Sequence, residues 1–305
     1  MYDPLEIILS DDCSKDKTFE IMREMTKGYT GPHSIVLNRN TVNNGIGSHA
    51  NRLIEMAKGE LIIFAAGDDI SVPYRTHHLV KRWLDSGKIV DCIWSSVKII
   101  DKNNKEIGEW LANDSRESPA NQVKSMVPSL MGCSQATTKR LFNKFGPLPN
   151  KIVYEDRAIA FRALISGGLA SEPTELVHYR IHAESVLNRT ENPNISTDIA
   201  NHKLHTSRKL SVFKSYKKDL HLQKETMEKN LYNKLENVIK HEIEKLNSEI
   251  LISSPDISDR IKGLISICRN PHTTSKNILR YTALSINPIL ATASIRLYKK
   301  YIAKT

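Results

Sequence analysis

Apolar residues fall into two spacings along this chain. Leu5-Glu6-Ile7-Ile8-Leu9-Ser10, Ser34-Ile35-Val36-Leu37-Asn38 and Leu61-Ile62-Ile63-Phe64-Ala65-Ala66 are short, nearly continuous apolar runs. Such runs predict strands covered on both faces, and residues 91–100 make a fourth. Between them, residues 18–27, 48–57 and 73–86 carry the three-to-four spacing of amphipathic helices. Ser48 is the expected N-cap of the second helix, and Lys58-Gly59 its stop. Strand and helix thus alternate over the first hundred residues. That order predicts right-handed βαβ units, an α/β class and a mostly parallel, Rossmann-like sheet with flanking helices. Ligands of such sheets bind outside the carboxyl ends of the strands. Asp11-Asp12 and Gly67-Asp68-Asp69 both fall at strand carboxyl ends.

Beyond Asn103 the pattern weakens. Residues 108–118 read as a polar loop, 121–130 and 137–145 as helices, and 155–166 as a helix stopped by Gly167-Gly168. Residues 176–181 read as a short strand. After Asn192-Pro193-Asn194 the character changes to helix alone. Leu220, Met227, Leu231, Leu235, Ile239, Ile243, Leu246 and Ile250 predict one long amphipathic helix, ended by Ser253-Ser254-Pro255. Ile286, Leu290, Ala293, Leu297 and Tyr301 form a second stripe. The expected division is a strand-bearing domain over 1–195 and a basic helical C-terminal extension over 196–305.

Charge sharpens that division. Residues 201–305 hold 20 Lys/Arg and 9 Asp/Glu, whereas the first 200 residues hold 24 and 25. A basic end on a near-neutral body fits peripheral contact with an anionic membrane surface or a solvated helical face. Nucleic-acid binding is not expected, because no basic patch is interleaved with aromatics. The four cysteines are far apart and form no CxxC pair, which argues against zinc and against a disulfide framework. No apolar run reaches the ~18 residues of a membrane span, and the first residues lack a secretory pattern. The expected setting is the cytoplasm, with peripheral contact at the inner face of the membrane.

An acidic pair at a sheet's carboxyl edge can hold Mg²⁺ or Mn²⁺, which prefer oxygen ligands and bind one or two carboxylates plus substrate phosphates. Turn carboxylates capping the helix after Pro73 are the bland reading of the same residues. Context favours the chemical one. Asp11-Asp12-Cys13-Ser14-Lys15-Asp16-Lys17-Thr18, Asn43-Asn44-Gly45-Ile46, Asn51, Ala57-Lys58-Gly59-Glu60 and Phe64-Ala65-Ala66-Gly67-Asp68-Asp69 occur in that order. This ordered set resembles the family 2 glycosyltransferases of GT-A fold, over roughly residues 5–190.

The resemblance implies a hexosyltransferase-type enzyme that uses a nucleotide-sugar donor, with a UDP-sugar expected, and a saccharide or lipid-linked acceptor. Surface polysaccharide or lipopolysaccharide assembly is the implied setting. It also implies roles at matching positions. Asp12, or Asp11, hydrogen-bonds the base; Asn44 and Gly45 let the backbone approach the nucleotide; Asp68 contacts the ribose or the metal's water shell; Asp69 binds the metal. In Tyr154-Glu155-Asp156-Arg157, Asp156 is the implied base of an inverting transfer, with Glu155 beside it. His182, with Arg180, lies where relatives carry a basic residue near the diphosphate. Trp94, Trp110 and Gln135 are candidates for an acceptor pocket, with Trp94 better placed in the core. Relatives begin with a further strand and helix that are not found ahead of Leu5. An N-terminally truncated chain, even a non-catalytic remnant, is therefore the alternative expectation.

Overall fold

A computed structural model describes residues 4–115, 117–126, 130–182, 195–269 and 281–282. Strand β1 (Glu6–Asp11) pairs in parallel with β2 (Ser34–Arg39), Glu6 opposite Ser34, and helix α1 (Thr18–Thr26) connects them. Helix α2 (Ile46–Met56) leads to β3 (Leu61–Ile63), the two-residue β4 (Ile70–Ser71), helix α3 (Arg75–Asp85) and β5 (Cys92–Ile100). The alternation read from the first hundred residues is therefore present. Beyond it come β6 (Glu106–Trp110), α4 (Pro119–Ser125), β7 (Gln135–Thr138), α5 (Lys139–Phe145), α6 (Glu155–Leu164) and β8 (Leu169–Arg180).

The sheet is mixed rather than mostly parallel. Strands β1 and β2 form a sheet of their own, while β3-β7-β5-β8-β4 form a second, with β6 also on β5. Among the described residues of the second sheet only β5 and β8 run parallel. The difference comes from β7, which lies between β3 and β5 and runs against both. Its sequence, Gln135-Ala136-Thr137-Thr138, has no apolar alternation, so the pattern extended the following helix back over it. All four residues are buried, and the polar ones are satisfied. Gln135 Nε2 donates to Cys92 Sγ at 3.1 Å, and Thr137 Oγ1 to the Asp91 carbonyl at 3.1 Å. Buried polar groups are tolerated when so paired. Similarly, β6 stands where a loop was expected, and β8 runs twelve residues instead of six. Strand β3 is shorter than its apolar run and only half-buried. Among the described residues it pairs on one edge alone.

Leu79 and Trp83 of α3 pack with Ile93, Ala136, Ala170 and Leu176 from β5, β7 and β8. At the start of β5 the buried Asp91 carboxylate gathers four donors. They are Thr138 Oγ1 at 2.5 Å, Arg140 Nε at 2.6 Å, Ser166 Oγ at 3.0 Å and the Gly167 amide at 2.9 Å. This one side chain fixes β5, β7 and the α6–β8 turn together.

The chain divides into two compact units. The first is Met1–His182 with Ser215–Leu235, and the second is Ala183–Lys214 with Glu236–Thr305. Part of the C-terminal third therefore packs with the strands. The expected single helix over 220–250 is two, α7 (Ile195–His221) and α8 (Lys229–Ile252), with α9 (Ile257–Arg269) after them. In the first unit Tyr216 stacks on Phe161, ring centroids 4.1 Å apart. Arg162 and Asp219 form a fully buried pair, Nε to Oδ2 at 2.8 Å and Nη2 to Oδ1 at 3.2 Å, and Arg162 also donates to the Gly146 and Pro147 carbonyls. In the second unit Ile252, Ile267 and Tyr281 pack together. No helix among the described residues is long and apolar enough to cross a membrane. The stripe from Ile286 to Tyr301 lies outside the described residues.

Removing one member of a buried ion pair strands the other charge at a cost of about 3–5 kcal/mol. Asp219→Ala should lower unfolding stability by about that much in urea titration. The double change Asp219→Leu with Arg162→Met should recover most of the loss.

Candidate active site

The predicted site residues fall into three clusters. The first lies at the end of β1. Asp11 is 3% exposed, accepts from the Ser14 amide at 3.1 Å and forms an ion pair with Arg39 at 3.2 Å. It holds the local turn. Asp12 holds the loop before α2. Its Oδ1 accepts from the Asn44 amide at 3.0 Å and Asn40 Nδ2 at 2.7 Å, and its Oδ2 from the Gly45 amide at 2.9 Å. His49 lies 3.6 Å from the same carboxylate and 2.9 Å from Asn40. Gly45, at φ 78°, is the N-cap, so α2 starts ahead of Ser48. That left-handed conformation favours glycine. Gly47 is required by close approach, since a Cβ there would lie 2.3 Å from Ile152 Cγ2.

The second cluster lies at the turn after β3. Arg180, the last residue of β8, donates its amide to Asp69 Oδ1 at 2.8 Å and its Nε to the Asp68 carbonyl at 2.8 Å. The same guanidinium reaches the Asp101 carbonyl and Asn104 Oδ1. It grips the turn. His182 Nε2 lies 3.1 Å from Asp68 Oδ2. Asp69 Oδ2 is buried with no hydrogen-bond partner among the described residues, and the Cys133 thiol interacts with the same carboxylate. Burial raises the Asp69 carboxyl, opposed by the Arg180 amide and by Cys133. Tyr179 is pushed up to about 12, first by burial and then by Cys133, Asp69 and Asp68.

No group of three or more His, Cys, Asp or Glu is arranged to hold a metal among the described residues. The donor set at this turn is two carboxylates, one with an orphaned buried oxygen. That fits a hard divalent cation whose remaining ligands are phosphate and water, and Asp69 and Asp68 are the residues that would hold it.

The third cluster is the start of α6. Asp156 Oδ1 accepts from the Arg157 amide at 2.8 Å, and the Asp156 carbonyl from Gln135 Nε2 at 3.3 Å. Glu155 is pushed up to about 8, by burial and then by the neighbouring Asp156 charge. Burial raises Asp156 too, but the Arg157 charge and amide oppose it. Burial thus favours the protonated form of both carboxyls, and the Asp156 charge adds to that at Glu155.

The two acidic pairs expected along one sheet edge sit at the ends of strands in two separate sheets. Trp94 is core, at 2% exposed, while Trp110 is exposed. Gln135 is buried, its amide committed to Cys92 and Asp156. Sequence reasoning missed Asn40, His49 and Arg75. Arg75 left a readable sign: a cation in a helix's first turn opposes the helix dipole, so it needs a reason to be there. Asn40 and His49 left none, because their partner Asp12 is remote in sequence.

Glu155 yields a pH prediction. Its folded-state pKa lies above its unfolded value, so between them the folded chain binds more protons than the unfolded one. Its contribution to stability then falls as pH rises toward about 8. Glu155→Gln should gain Tm over wild type progressively from pH 5 to pH 8 in thermal melts. A pH-independent difference contradicts the assignment.

Residues 1–146 match the family model described as Glycosyl transferase family 2. EpsH of Bacillus subtilis (strain 168), named as a glycosyltransferase, is 27% identical over 203 residues, 61% of this chain and 55% of that protein. The uncharacterized glycosyltransferase MJ1057 of Methanocaldococcus jannaschii is 28% identical over 104 residues, 34% of each. The chain thus spans about half the length, or less, of these relatives. Among solved structures, S. aureus TarS 1-349 aligns at TM-score 0.48 with 14% identity, covering 92% of this chain and 80% of that one. The mannosyltransferase PcManGT of Pyrobaculum calidifontis, in complex with GDP-Man and Mn²⁺, aligns at 0.47 with 12% identity, covering 97% and 78%. The family match thus covers the first 146 residues, the stretch that carries the ordered acidic motifs, and there the chain is similar to glycosyl transferase family 2.

Proposed function

We propose that this chain transfers a sugar from a nucleotide-sugar, a UDP-sugar by the base contact described below, to a saccharide or lipid-linked acceptor hydroxyl with inversion. The observation that carries the reading is the pairing of two unlike acidic centres. Asp69 has a buried oxygen with no hydrogen-bond partner among the described residues, and Glu155-Asp156 are adjacent buried carboxyls whose burial raises both.

Asp69 and Asp68 would hold a divalent cation, which neutralises the charge of the departing diphosphate when bound. At the other end, Asp156 accepts the proton of the acceptor hydroxyl. Its Oδ1 accepts from the Arg157 amide, and the Arg157 charge and amide favour its ionised form against burial. Asp12 orients the nucleotide. Its Oδ1 already takes two donors and its Oδ2 one, which leaves an Oδ2 lone pair for the imide N–H of uracil.

The test is calorimetric titration with UDP, with and without Mn²⁺. Mn²⁺ should tighten binding by tenfold or more, and Asp69→Asn should remove that gain. Asp156→Asn should bind UDP–Mn²⁺ normally yet lose at least about a hundredfold in turnover of UDP-sugar, in line with general-base contributions. Equal UDP binding with and without Mn²⁺ contradicts the reading.

A further inference from the structure

Arg75 is the first residue of α3 and only 3% exposed, yet its guanidinium donates to no carboxylate among the described residues. Its Nη2 donates to the Phe64 carbonyl at 2.5 Å and the Cys133 carbonyl at 2.6 Å, and its Nη1 to Ser71 Oγ at 2.9 Å. Its Nε is buried with no hydrogen-bond partner among the described residues. Phe64 and Ser71 bracket the turn that carries Asp68 and Asp69. The Arg75 side chain therefore staples residues 65–70 at their base, where the chain leaves β3 and where it returns as β4.

The third anchor extends the staple. Cys133 belongs to the single helical turn Gly132–Ser134, which runs directly into β7. A Cβ on Gly132 would lie 3.3 Å from Glu155 Oε1 and 3.4 Å from Asp156 Cβ. Gln135 takes the Phe64 amide on its carbonyl at 3.0 Å and gives its side-chain amide to the Asp156 carbonyl. One four-residue segment thus touches both acidic centres, and Arg75 ties it to the metal-end turn.

Stability alone does not account for this arrangement. A buried guanidinium satisfied by neutral acceptors is expensive, and an apolar side chain of similar volume often serves a core as well or better. Burial pulls Arg75 down to about 10, while Cys133 and Asp69 act to keep it charged. At neutral pH it remains a cation. Arginine is the residue that can do this, because its planar fork presents five donors in fixed directions.

We propose that Arg75 is a positioning residue for diphosphate and cation binding: it fixes the Gly67-Asp68-Asp69 turn in its binding conformation and sets it against the Glu155-Asp156 pair. The proposal rests on the reading that this turn holds a nucleoside diphosphate with its divalent ion. A turn ordered in advance loses less freedom when ligand binds, so the staple acts on affinity. It acts only on the part of the ligand that the turn holds. The Asp12 cluster, which faces the base, does not include Arg75.

The experiment compares two ligands on the same variants. Wild type, Arg75→Lys and Arg75→Gln are titrated with UDP plus Mn²⁺ and, separately, with uridine, and folding is checked by thermal melts. Both variants should bind UDP–Mn²⁺ at least tenfold more weakly, with uridine binding within twofold of wild type. Unchanged UDP–Mn²⁺ binding in folded variants overturns the proposal and leaves the functional reading standing. Parallel loss of uridine binding also overturns it, because it marks a merely structural role. Should Arg75→Gln fail to fold, Ser71→Ala removes one anchor and keeps the guanidinium. A loss of about twofold to fivefold for UDP–Mn²⁺ alone supports the staple, and no loss overturns it. If wild type itself shows no Mn²⁺-dependent UDP binding, the functional reading fails and this proposal with it.

Discussion

The turn after β3 carries two carboxylates where the backbone has left the sheet, and it holds its shape because arginines grip it at both ends. Arg180 binds the tip through its amide and Nε. Arg75 binds the base through Phe64 and Ser71. Among the described residues Arg75 donates to neutral acceptors rather than to the pair, and Asp69 Oδ2 has no hydrogen-bond partner. A buried, unsatisfied carboxylate oxygen is destabilising by itself. It makes sense at a place where a ligand supplies the missing partner. The rest of the first unit places other groups around that turn: Asp91 locks β5, β7 and the approach to β8, β8 delivers Arg180 and His182, and β7 delivers Gln135 beneath α6.

Much of the first hundred residues was legible because their signals are local. The apolar runs of β1, β2 and β3, and the amphipathic spacing of α1, α2 and α3, are written within windows of a dozen residues. The acidic pairs were legible for a different reason, since strand carboxyl ends are where such sheets bind ligands. The mixed sheet was not legible. Strand β7 is Gln-Ala-Thr-Thr, and its place between β3 and β5 depends on bonds to Cys92 and Asp91, more than forty residues away. Strand β8 was underestimated because Glu172, Pro173, Thr174 and Glu175 interrupt its apolar pattern at the register shifts against β5.

Roles within the site followed the same division. Asp69, Asp156 and Asp12 could be picked from motif order, but what each touches could not. Arg180, expected near the diphosphate with His182, also grips the turn through its amide and Nε. Asp11, the second candidate for the base, holds Ser14 and Arg39. Gly47 and Gly132 were unremarkable in sequence, yet each sits where a side chain would meet residues of the α6 approach. Close contacts of this kind belong to tertiary structure and leave no periodic trace.

The most direct measurement is X-ray diffraction from crystals of the chain grown with UDP and Mn²⁺, collected at a wavelength where manganese scatters anomalously. The account predicts an anomalous peak at coordination distance from Asp69 Oδ2, bridging to the diphosphate, with the uracil against Asp12. A manganese peak elsewhere, or a nucleotide bound with Asp69 Oδ2 still without a partner, would contradict it.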